Sequence, residues 1–526
     1  MKRTTSLFIL IFFTCFHLMA QKALIDWSEV DKRSVWGPYL SNITKGHGNE
    51  IITLQVKGSG LLGGKQTPTF TRYDRHWNPV LEKDPFNGSS KMGIYNLVQF
   101  NDDLFLLAKA WGSNAEAYTL QAFPIDPVTL EAGAARDLVS FDSRHKKIAA
   151  SITTGMSNDK SLVLLFATEP YDLNEDRKYY MGVWDNKFNK QWERMTYLPY
   201  SAKFIILKGQ RVSAQGDVYL ACRQYEKEVI NNPLQGTIDN MSPYKYKLFV
   251  YSKNDSLPRE YTVDLKGKFV HDAVLHFDDN GNLIIAGLYK NNFAGRVSGS
   301  FTAMLDKTAQ QITIRKMEAL PAGNLLAQVA ADGCGSADAN DPGLDPAFKL
   351  VGDNKRDDGT IDLLAEYNTV SHHSSVSLAT SSMMDQTTYK AYDVVVVSFK
   401  PDGRILYSHL PKKQEESPFW THISIRYMNH GNDLILFYND NKKNVAGQLS
   451  QNPQAADSLG NSVFVMATIS TNGEVRRQAP FSNDDPEMMA DLIHCHPMGA
   501  DAMSLYVYKT RKFARSQYQL GLLTLQ

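Results

Sequence analysis

One short pattern recurs along nearly the whole chain and limits what it can fold into. Each copy is a polar turn rich in Gly, Asn or Asp, followed by five to seven apolar and β-branched residues. The copies recur at broadly similar intervals, which is typical of folds that use one supersecondary unit several times. The first strongly apolar residues of the copies, here called the anchors, are Ile52, Leu104, Leu162, Val218, Leu283, Ile361, Leu434 and Leu505.

A second element follows each anchor and reads as a strand that runs into a polar turn. In four copies an Asp comes directly after an apolar residue, at nearly the same offset from the anchor. An Asp side chain can accept hydrogen bonds from the backbone of its own turn. We therefore interpret these carboxylates as turn formers and not as catalysts. They are Asp74, Asp126, Asp185 and Asp306.

Each anchor is also preceded by a short strand, and a weaker fourth strand follows the second element. Four strands per unit, about eight units and no convincing long amphipathic helix predict an all-β fold, a β-propeller with eight four-stranded blades. Seven blades is the alternative if one unit is misread. The chain stops after the third strand of its last unit, so we expect Ala23–Val30 to supply the missing outer strand and close the ring.

This arrangement resembles the secreted β-propellers with degenerate blades, over nearly all of residues 21–526. The resemblance points to no specific characterised family. The chain has neither the Gly-His and Trp-Asp pairs of WD40 blades nor the double glycine of kelch blades at fixed offsets. The resemblance therefore implies a fold and transfers no functional residue.

Residues 1–20 are predicted to be a signal peptide that is not part of the fold. Lys2 and Arg3 precede the apolar run Ser6–Ala20, which is short for a membrane span of about 20 apolar residues. A retained membrane anchor is the alternative. No later stretch reaches that length, so residues 21–526 are expected to form one exported domain without a transmembrane span. The periplasm, the cell surface and the extracellular space are the compartments that this predicts.

The charge balance and the cysteine content exclude further functional classes. The chain has 56 basic and 56 acidic side chains, so it lacks the basic field that attracts nucleic acids. The part after the signal peptide keeps three cysteines, Cys222, Cys334 and Cys495, which cannot all pair with one another. We interpret them as structural or unpaired thiols and not as a redox or metal site.

Two motifs suggest ligand sites but also have simpler explanations. Gly58–Gly63 matches the glycine pattern of dinucleotide-binding loops. A strand and not a helix is expected after it, so no helix N-terminus would meet a pyrophosphate. The acidic loop Ala331–Pro346 offers Asp332, Asp338, Asp341 and Asp345 as calcium ligands, or is simply a solvated connection.

Three histidines share a register and form the candidate catalytic site. His271 and His422 precede their anchors by the same interval, and His494 lies one position closer to its own. In a propeller this register is the start of the innermost strand, so the three imidazoles could meet at the channel mouth. There they could hold a divalent transition metal, or one could act as a base with Asp272 beside it. The alternative is that they are unrelated histidines at strand ends. No cofactor is predicted apart from this divalent metal.

The remaining ligand candidates are His496, next to the third histidine, and Trp420, which could stack on a carbohydrate. Four long insertions, at 225–244, 331–346, 368–389 and 439–461, would all emerge on one face of a propeller, and loops on a rigid scaffold commonly bind ligands. The sequence thus favours an exported binding module that holds an envelope protein or a glycan through this loop-rich face. The alternative is a secreted glycan-active hydrolase or lyase with the histidines at its centre.

Overall fold

A computed structural model of the 526-residue chain describes most of residues 23–526. The segments that it does not describe are 33–37, 59–65, 87, 89–91, 112–116, 143, 145, 147, 173–174, 229–230, 233–235, 238–241, 322, 378–381, 417–421, 446–452, 458, 481–487 and 510–516. The predicted signal peptide and most of Gly58–Gly63 lie outside the described residues. So does Trp420.

The described strands form eight antiparallel sheets of the kind that the repeat predicts. Before the first complete blade come β1 (Ala23–Trp27) and β2 (Asp31–Lys32). Blade 1 contains β3 (Tyr39–Lys45), β4 (Ile51–Lys57), β5 (Thr67–Tyr73) and β6 (Pro79–Lys83). Blade 2 contains β7 (Met92–Phe100), β8 (Asp103–Trp111), β9 (Ala117–Ile125) and β10 (Arg136–Asp142). Blade 3 contains β11 (Ser151–Met156), β12 (Leu162–Thr168), β13 (Lys178–Asp185) and β14 (Lys190–Tyr197).

The next two blades carry additional elements in their connections. Blade 4 contains β15 (Ile205–Val212), β16 (Val218–Tyr225), the small pair β17 (Asn231–Asn232) and β18 (Gly236–Thr237), then β19 (Tyr244–Tyr251) and β20 (Arg259–Val263). Blade 5 contains β21 (Phe269–Phe277), β22 (Leu283–Lys290), β23 (Val297–Asp306) and β24 (Gln311–Ala319). The connection to the next blade contains α1 (Asn324–Ala331), β25 (Gly335–Ser336) and β26 (Gly343–Leu344).

The last three blades complete the ring. Blade 6 contains β27 (Phe348–Lys355), β28 (Ile361–Ser377), β29 (Ser382–Phe399), β30 (Ile405–Leu410) and the added β31 (Gln414–Glu416). Blade 7 contains β32 (Arg426–His430), β33 (Asp433–Asn441), α2 (Lys442–Val445), a 3₁₀ turn (Leu459–Asn461), β34 (Ser462–Ile469) and β35 (Val475–Gln478). Blade 8 contains β36 (Met488–Ala490), a 3₁₀ turn (Leu492–His494), β37 (His496–Pro497), β38 (Ala502–Lys509) and β39 (Gln517–Leu525).

The predicted repeat of strands and turns is confirmed. All eight anchors lie on the second strand of their blades. The four Asp residues also close hairpins as expected: Asp74 Oδ1, for example, accepts hydrogen bonds from the backbone N–H groups of His76 (2.8 Å) and Asn78 (2.9 Å). Asp126, Asp185 and Asp306 accept equivalent bonds in their own turns.

The ring closes through the two ends of the described chain. β1 pairs antiparallel with β39, from Ala23 opposite Leu525 to Trp27 opposite Gly521. The first strand therefore serves as the outer strand of blade 8, as predicted. The pairing covers an edge of β39 that would otherwise expose its backbone hydrogen-bonding groups.

The hydrophobic core lies between the faces of neighbouring blades. Leu164 and Met181 of blade 3 share one buried cluster with Leu220 of blade 4, whereas Val163 and Leu165 pack toward blade 2. Because both faces of the second strand are covered, it is a continuous apolar run and not an alternating one. This double burial is the physical origin of the repeat.

The three cysteines are buried, unpaired thiols, as interpreted from the sequence. Burial raises the pKa of the Cys495 thiol to about 12, so it stays protonated and packs as a small apolar side chain. Among the described residues, no helix is long and apolar enough to cross a membrane.

Candidate functional site

The four inserted segments join second strands to third strands, or, in the case of 331–346, blade 5 to blade 6. Successive strands of a blade run in opposite directions, so both kinds of connection emerge on the same side of the ring. We call this side, over blades 4 to 7, the loop-rich face. It is where the structure places most of its additions to the basic blade.

Segment 368–389 is mostly strand and not the irregular loop that its composition suggested. β28 and β29 remain paired for ten residue pairs, from Asn368 opposite Ala391 to Ser377 opposite Ser382. The inner neighbour β27 stops pairing at Tyr367, so this hairpin continues past the blade. At about 3.3 Å per residue it extends by roughly 30 Å. Its Ser and Thr content concealed the strands, because it lacks an apolar alternation.

The base of this hairpin is fixed to the insertion of blade 7. β31 pairs with β29 between Tyr389 and Ala391. On its other side, the backbone N–H of Glu415 donates to the Ala456 carbonyl at 3.1 Å, and the Ala456 N–H donates to the Lys413 carbonyl at 2.8 Å. These bonds connect two of the predicted insertions into one layer.

A buried ion pair lies below that layer. Lys412 Nζ is 2.6 Å from Glu366 Oε1, and both side chains are fully buried. The ammonium group also donates to Gln414 Oε1 (2.9 Å) and to the Ala391 carbonyl (3.1 Å). Glu366 Oε2 accepts a bond from Ser424 Oγ at 2.7 Å. The hydrogen bonds offset the desolvation of the two charges and fix the start of the hairpin.

His271 is held inside the wall between blades 5 and 6 and does not face the channel mouth. The β21 ladder shifts register between Val270 and Asp272, so His271 is the bulged residue, and bulges re-aim side chains. Its Nε2 lies 2.6 Å from the Phe348 carbonyl of blade 6. Burial, followed by the positive charge of Arg223, lowers the pKa of His271 to about 3. The ring is therefore a neutral link between two blades.

This environment predicts a pH dependence of stability. The pKa of His271 is about 3 in the folded protein against 6.5 in the unfolded chain, so between pH 6.5 and about 3 only the unfolded chain takes up the proton. The free energy of unfolding should therefore fall by about 1.4 kcal/mol per pH unit. Between pH 7 and 5 the wild type should lose about 2 kcal/mol more than His271→Gln in urea unfolding. The exposed His47→Gln variant is the control, and equal losses in wild type and His271→Gln would contradict the assignment.

The other two histidines of the predicted site lie in separate surroundings. The His422 ring is 5.7 Å from the ring of Tyr508. His494 Nδ1 lies 3.0 Å from Asp491 Oδ2 of its own turn, and its ring packs edge-on to Tyr506. One group of three or more His, Cys, Asp or Glu in the described part of the chain has the spacing to hold a metal, and it includes none of the three predicted histidines. The structure does not bring these imidazoles together.

Two further candidates have contacts within the fold. Asp272 Oδ2 accepts a hydrogen bond from the backbone N–H of Leu350 at 3.1 Å, which joins blade 5 to blade 6. Burial lowers the pKa of His496 to about 4, so this ring is neutral at pH 7. A catalytic or ligand-binding role for either residue stays a prediction.

The group with metal-binding spacing is Asp332, Asp393 and His409. Asp332 follows the last residue of α1, Asp393 lies on β29, and His409 lies on the outer strand β30. Their side chains are 5%, 1% and 7% exposed. Burial, and then the neighbouring Asp393 carboxylate, raises the pKa of Asp332. Two carboxylates are thus held together where water cannot screen their repulsion.

The rest of the predicted calcium loop behaves as a connection. Asp338 closes a turn by accepting a bond from the backbone N–H of Asn340 at 2.9 Å. Arg296 instead pairs with two of the other carboxylates: its Nε lies 3.1 Å from Asp341 Oδ2, and its Nη1 lies 3.8 Å from Asp345 Oδ2. The four carboxylates of the loop therefore do not converge, and only Asp332 turns inward.

A cleft of about 490 Å³ lies in the seam between blades 8 and 1. Five aromatic residues line it together with Leu40, Pro79 and Leu520: Trp27, Tyr73, Trp77, Tyr506 and Tyr518. The exposed His76 at its edge pairs with Asp26 at 2.7 Å. Aromatic faces combined with polar groups suit ligands that have both apolar and hydroxyl-bearing surfaces.

Four buried charged or titratable residues were not predicted from the sequence: Asp393, His409, Glu366 and Lys412. Asp393 precedes the run of four valines in β29, and Glu366 ends the apolar part of β28. A charged residue next to a fully buried strand was the available signal, because such a residue must find a partner when it is buried.

The sheets and their closure define the chain as an eight-bladed β-propeller. No protein-family model matches it, and no match was found among curated proteins. Among solved structures, the β-propeller domain of the Trilobed protease from Pyrococcus furiosus is similar, with 10% identity, a TM-score of 0.34, and 85% of this chain and 97% of that chain covered.

Two further solved structures are similar to the same degree. The acylaminoacyl peptidase of Pyrococcus horikoshii has 10% identity and a TM-score of 0.35, covering 92% of this chain and 60% of that one. The alpha-L-arabinanase of Penicillium chrysogenum has 11% identity and a TM-score of 0.29, covering 66% and 94%. The named proteins differ in activity, so the similarity concerns the propeller fold alone.

Proposed function

We propose that this protein is an exported binding module that holds an envelope protein through its loop-rich face. The observation that carries the proposal is the β28–β29 hairpin, which continues ten residue pairs past the blade. In the described part of the chain, β28 pairs with no strand other than β29 beyond Tyr367. An extended segment of a partner can add to such an edge as a further strand.

The composition of the hairpin supports this mode of binding. Natural proteins protect exposed strand edges with Lys, Pro or inward charges. From Asn368 to Tyr389 the chain has no Pro and no Lys, and Asp385 is its one residue charged at pH 7. Val370, at the start of the hairpin, is 54% exposed. A strand edge of this length without protecting residues favours the hypothesis that a partner strand pairs with it.

The rigid base supports it as well. The ion pair of Glu366 and Lys412 and the pairing of β31 fix the hairpin where it leaves the blade. A pre-organised edge loses less conformational entropy on binding than a loop would. The equal numbers of acidic and basic residues fit recognition by backbone pairing and shape, and not by long-range charge.

The hairpin is tested by shortening it. Replacing residues 369–388 with an Asn-Gly turn should abolish capture of envelope proteins, measured by cross-linking in the native host and mass spectrometry of the captured proteins. The melting temperature should stay close to that of the wild type, because the deleted segment lies outside the blade. As a matched control, removing Asn231–Thr237 from the blade 4 insertion on the same face should leave capture intact. An unchanged set of cross-linked proteins in the hairpin variant would refute the proposal.

A glycan is the second candidate ligand, and the aromatic cleft between blades 8 and 1 favours it. The same variants are therefore applied to immobilised extracellular polysaccharides. Retention that survives the hairpin deletion would assign glycan binding to the cleft. Release of shortened sugars in that assay would favour the glycan-active hydrolase or lyase over a binding module.

A further inference from the structure

The cluster of Asp332, Asp393 and His409 has a donor arrangement that calls for a cation. The ligand atoms of all three side chains lie within 4.8 Å of one another, and each side chain is at least nine-tenths buried. His409 Nε2 is 2.9 Å from Asp393 Oδ2 and 4.0 Å from Asp332 Oδ2. The three residues come from a connection, a third strand and a fourth strand, so the cluster joins separate parts of the fold.

The orientation of His409 is that of a metal ligand. Its Nδ1 lies 3.1 Å from Gln328 Oε1 of α1, an acceptor that takes the Nδ1 proton. Nε2 faces the carboxylate oxygens of Asp393 and Asp332, so the three side chains direct their ligand atoms at one another. A hydrogen bond that fixes one ring nitrogen while the other faces carboxylates is typical of metal-bound histidines.

Asp332 provides an independent indication. Its Oδ1 is buried and has no hydrogen-bond partner among the described residues. An unpaired carboxylate oxygen in the interior is costly unless a cation or proton neutralises it. No Lys or Arg nitrogen in the described part of the chain forms an ion pair with Asp332 or Asp393. Lys412, the nearby buried cation, is already bound to Glu366 and Gln414.

We propose that Asp332, Asp393 and His409 bind one divalent transition-metal ion of the Zn²⁺ or Mn²⁺ class. One imidazole nitrogen with two carboxylates suits these ions, whereas Ca²⁺ prefers oxygen ligands alone. The ion fastens the end of α1 to β29 and β30 of blade 6. It thereby holds the connection between blades 5 and 6 beside the base of the hairpin. The site does not depend on what the loop-rich face binds.

The proposal is tested on the full-length mature protein after treatment with EDTA. Titration with Zn²⁺ in a calorimeter should show one ion per chain, and the bound ion should raise the melting temperature. Asp393→Asn and His409→Gln should each weaken binding by at least about 100-fold, and Gln328→Ala by about 10-fold to 100-fold. Asp338→Asn, in the same acidic loop but pointing away, is the matched control and should bind as the wild type does.

Co²⁺ provides a readout that does not require the variants to fold. In the wild-type protein, Co²⁺ should give visible d–d absorption bands, and its paramagnetism should shift or broaden the His409 ring signals in NMR spectra. Absence of saturable binding of Zn²⁺ or Co²⁺ at concentrations well above that of the protein would overturn the proposal. Undiminished affinity in a folded His409→Gln variant would overturn it equally.

Discussion

Replacing Lys412 with methionine is expected to destabilise the protein by about 3–5 kcal/mol, because it leaves the Glu366 carboxylate buried without its charge partner. Both side chains are fully buried, and Lys412 Nζ has three partners within 3.1 Å. The loss should appear as a lower urea midpoint and a lower melting temperature. The effect exceeds that of most single substitutions, which cost about 1 kcal/mol.

Two further variants show whether the unpaired charge is the cause. The double variant Lys412→Met with Glu366→Gln removes both charges and should recover part of the loss. Lys316→Met breaks an exposed pair, Lys316 with Glu318 at 3.6 Å, and should change stability by less than about 1 kcal/mol. If Lys412→Met melted with the same midpoint as Lys316→Met, the buried pair would not stabilise the fold.

Removing β1 is expected to have the second large effect. A chain that begins at Ser28 lacks the outer strand of blade 8, so the edge of β39 is exposed. Ile25 and Trp27 are also partly buried against the core shared by blades 7 and 8, where full burial of such a side chain contributes about 1.5–3 kcal/mol. We expect a loss of about 5 kcal/mol from this burial and the five lost residue pairs.

Self-association should accompany the loss of β1. An open strand edge pairs with other chains, so the shortened protein should form concentration-dependent oligomers in sedimentation experiments. A chain that begins at Ala23 keeps β1 and is the control. A monomeric shortened protein with the melting temperature of the control would show that closure through β1 contributes little.

The two strands that close the propeller, β1 and β39, are closely packed. A Cβ atom at Gly521 would lie 2.6 Å from a ring atom of Trp27, so the indole packs directly on the Gly521 backbone across β1 and β39. The aromatic cleft of the same seam therefore depends on the strand that closes the propeller. Loss of β1 should therefore remove both the aromatic cleft and the closure of the propeller. The hairpin on blade 6 contributes to neither.

The sequence by itself predicted eight blades with seven as the alternative, the second strands, the hairpin turns and the closure by Ala23–Val30, of which Ala23–Trp27 pairs as β1. These features follow from local rules: a strand covered on both faces must be apolar throughout, and a tight turn needs Asp, Asn or Gly. An odd number of cysteines excludes complete pairing, and the structure shows that all three are buried, free thiols.

Only the tertiary structure decided which polar groups meet. A register shift turns His271 into the wall, so three histidines with a common register do not share a site. Asp332 and His409 are distant in the chain and meet because α1 folds back on blade 6. These contacts depend on bulges, strand lengths and the position of α1. A local sequence pattern does not predict them, because the geometry of neighbouring blades decides which distant side chains come into contact.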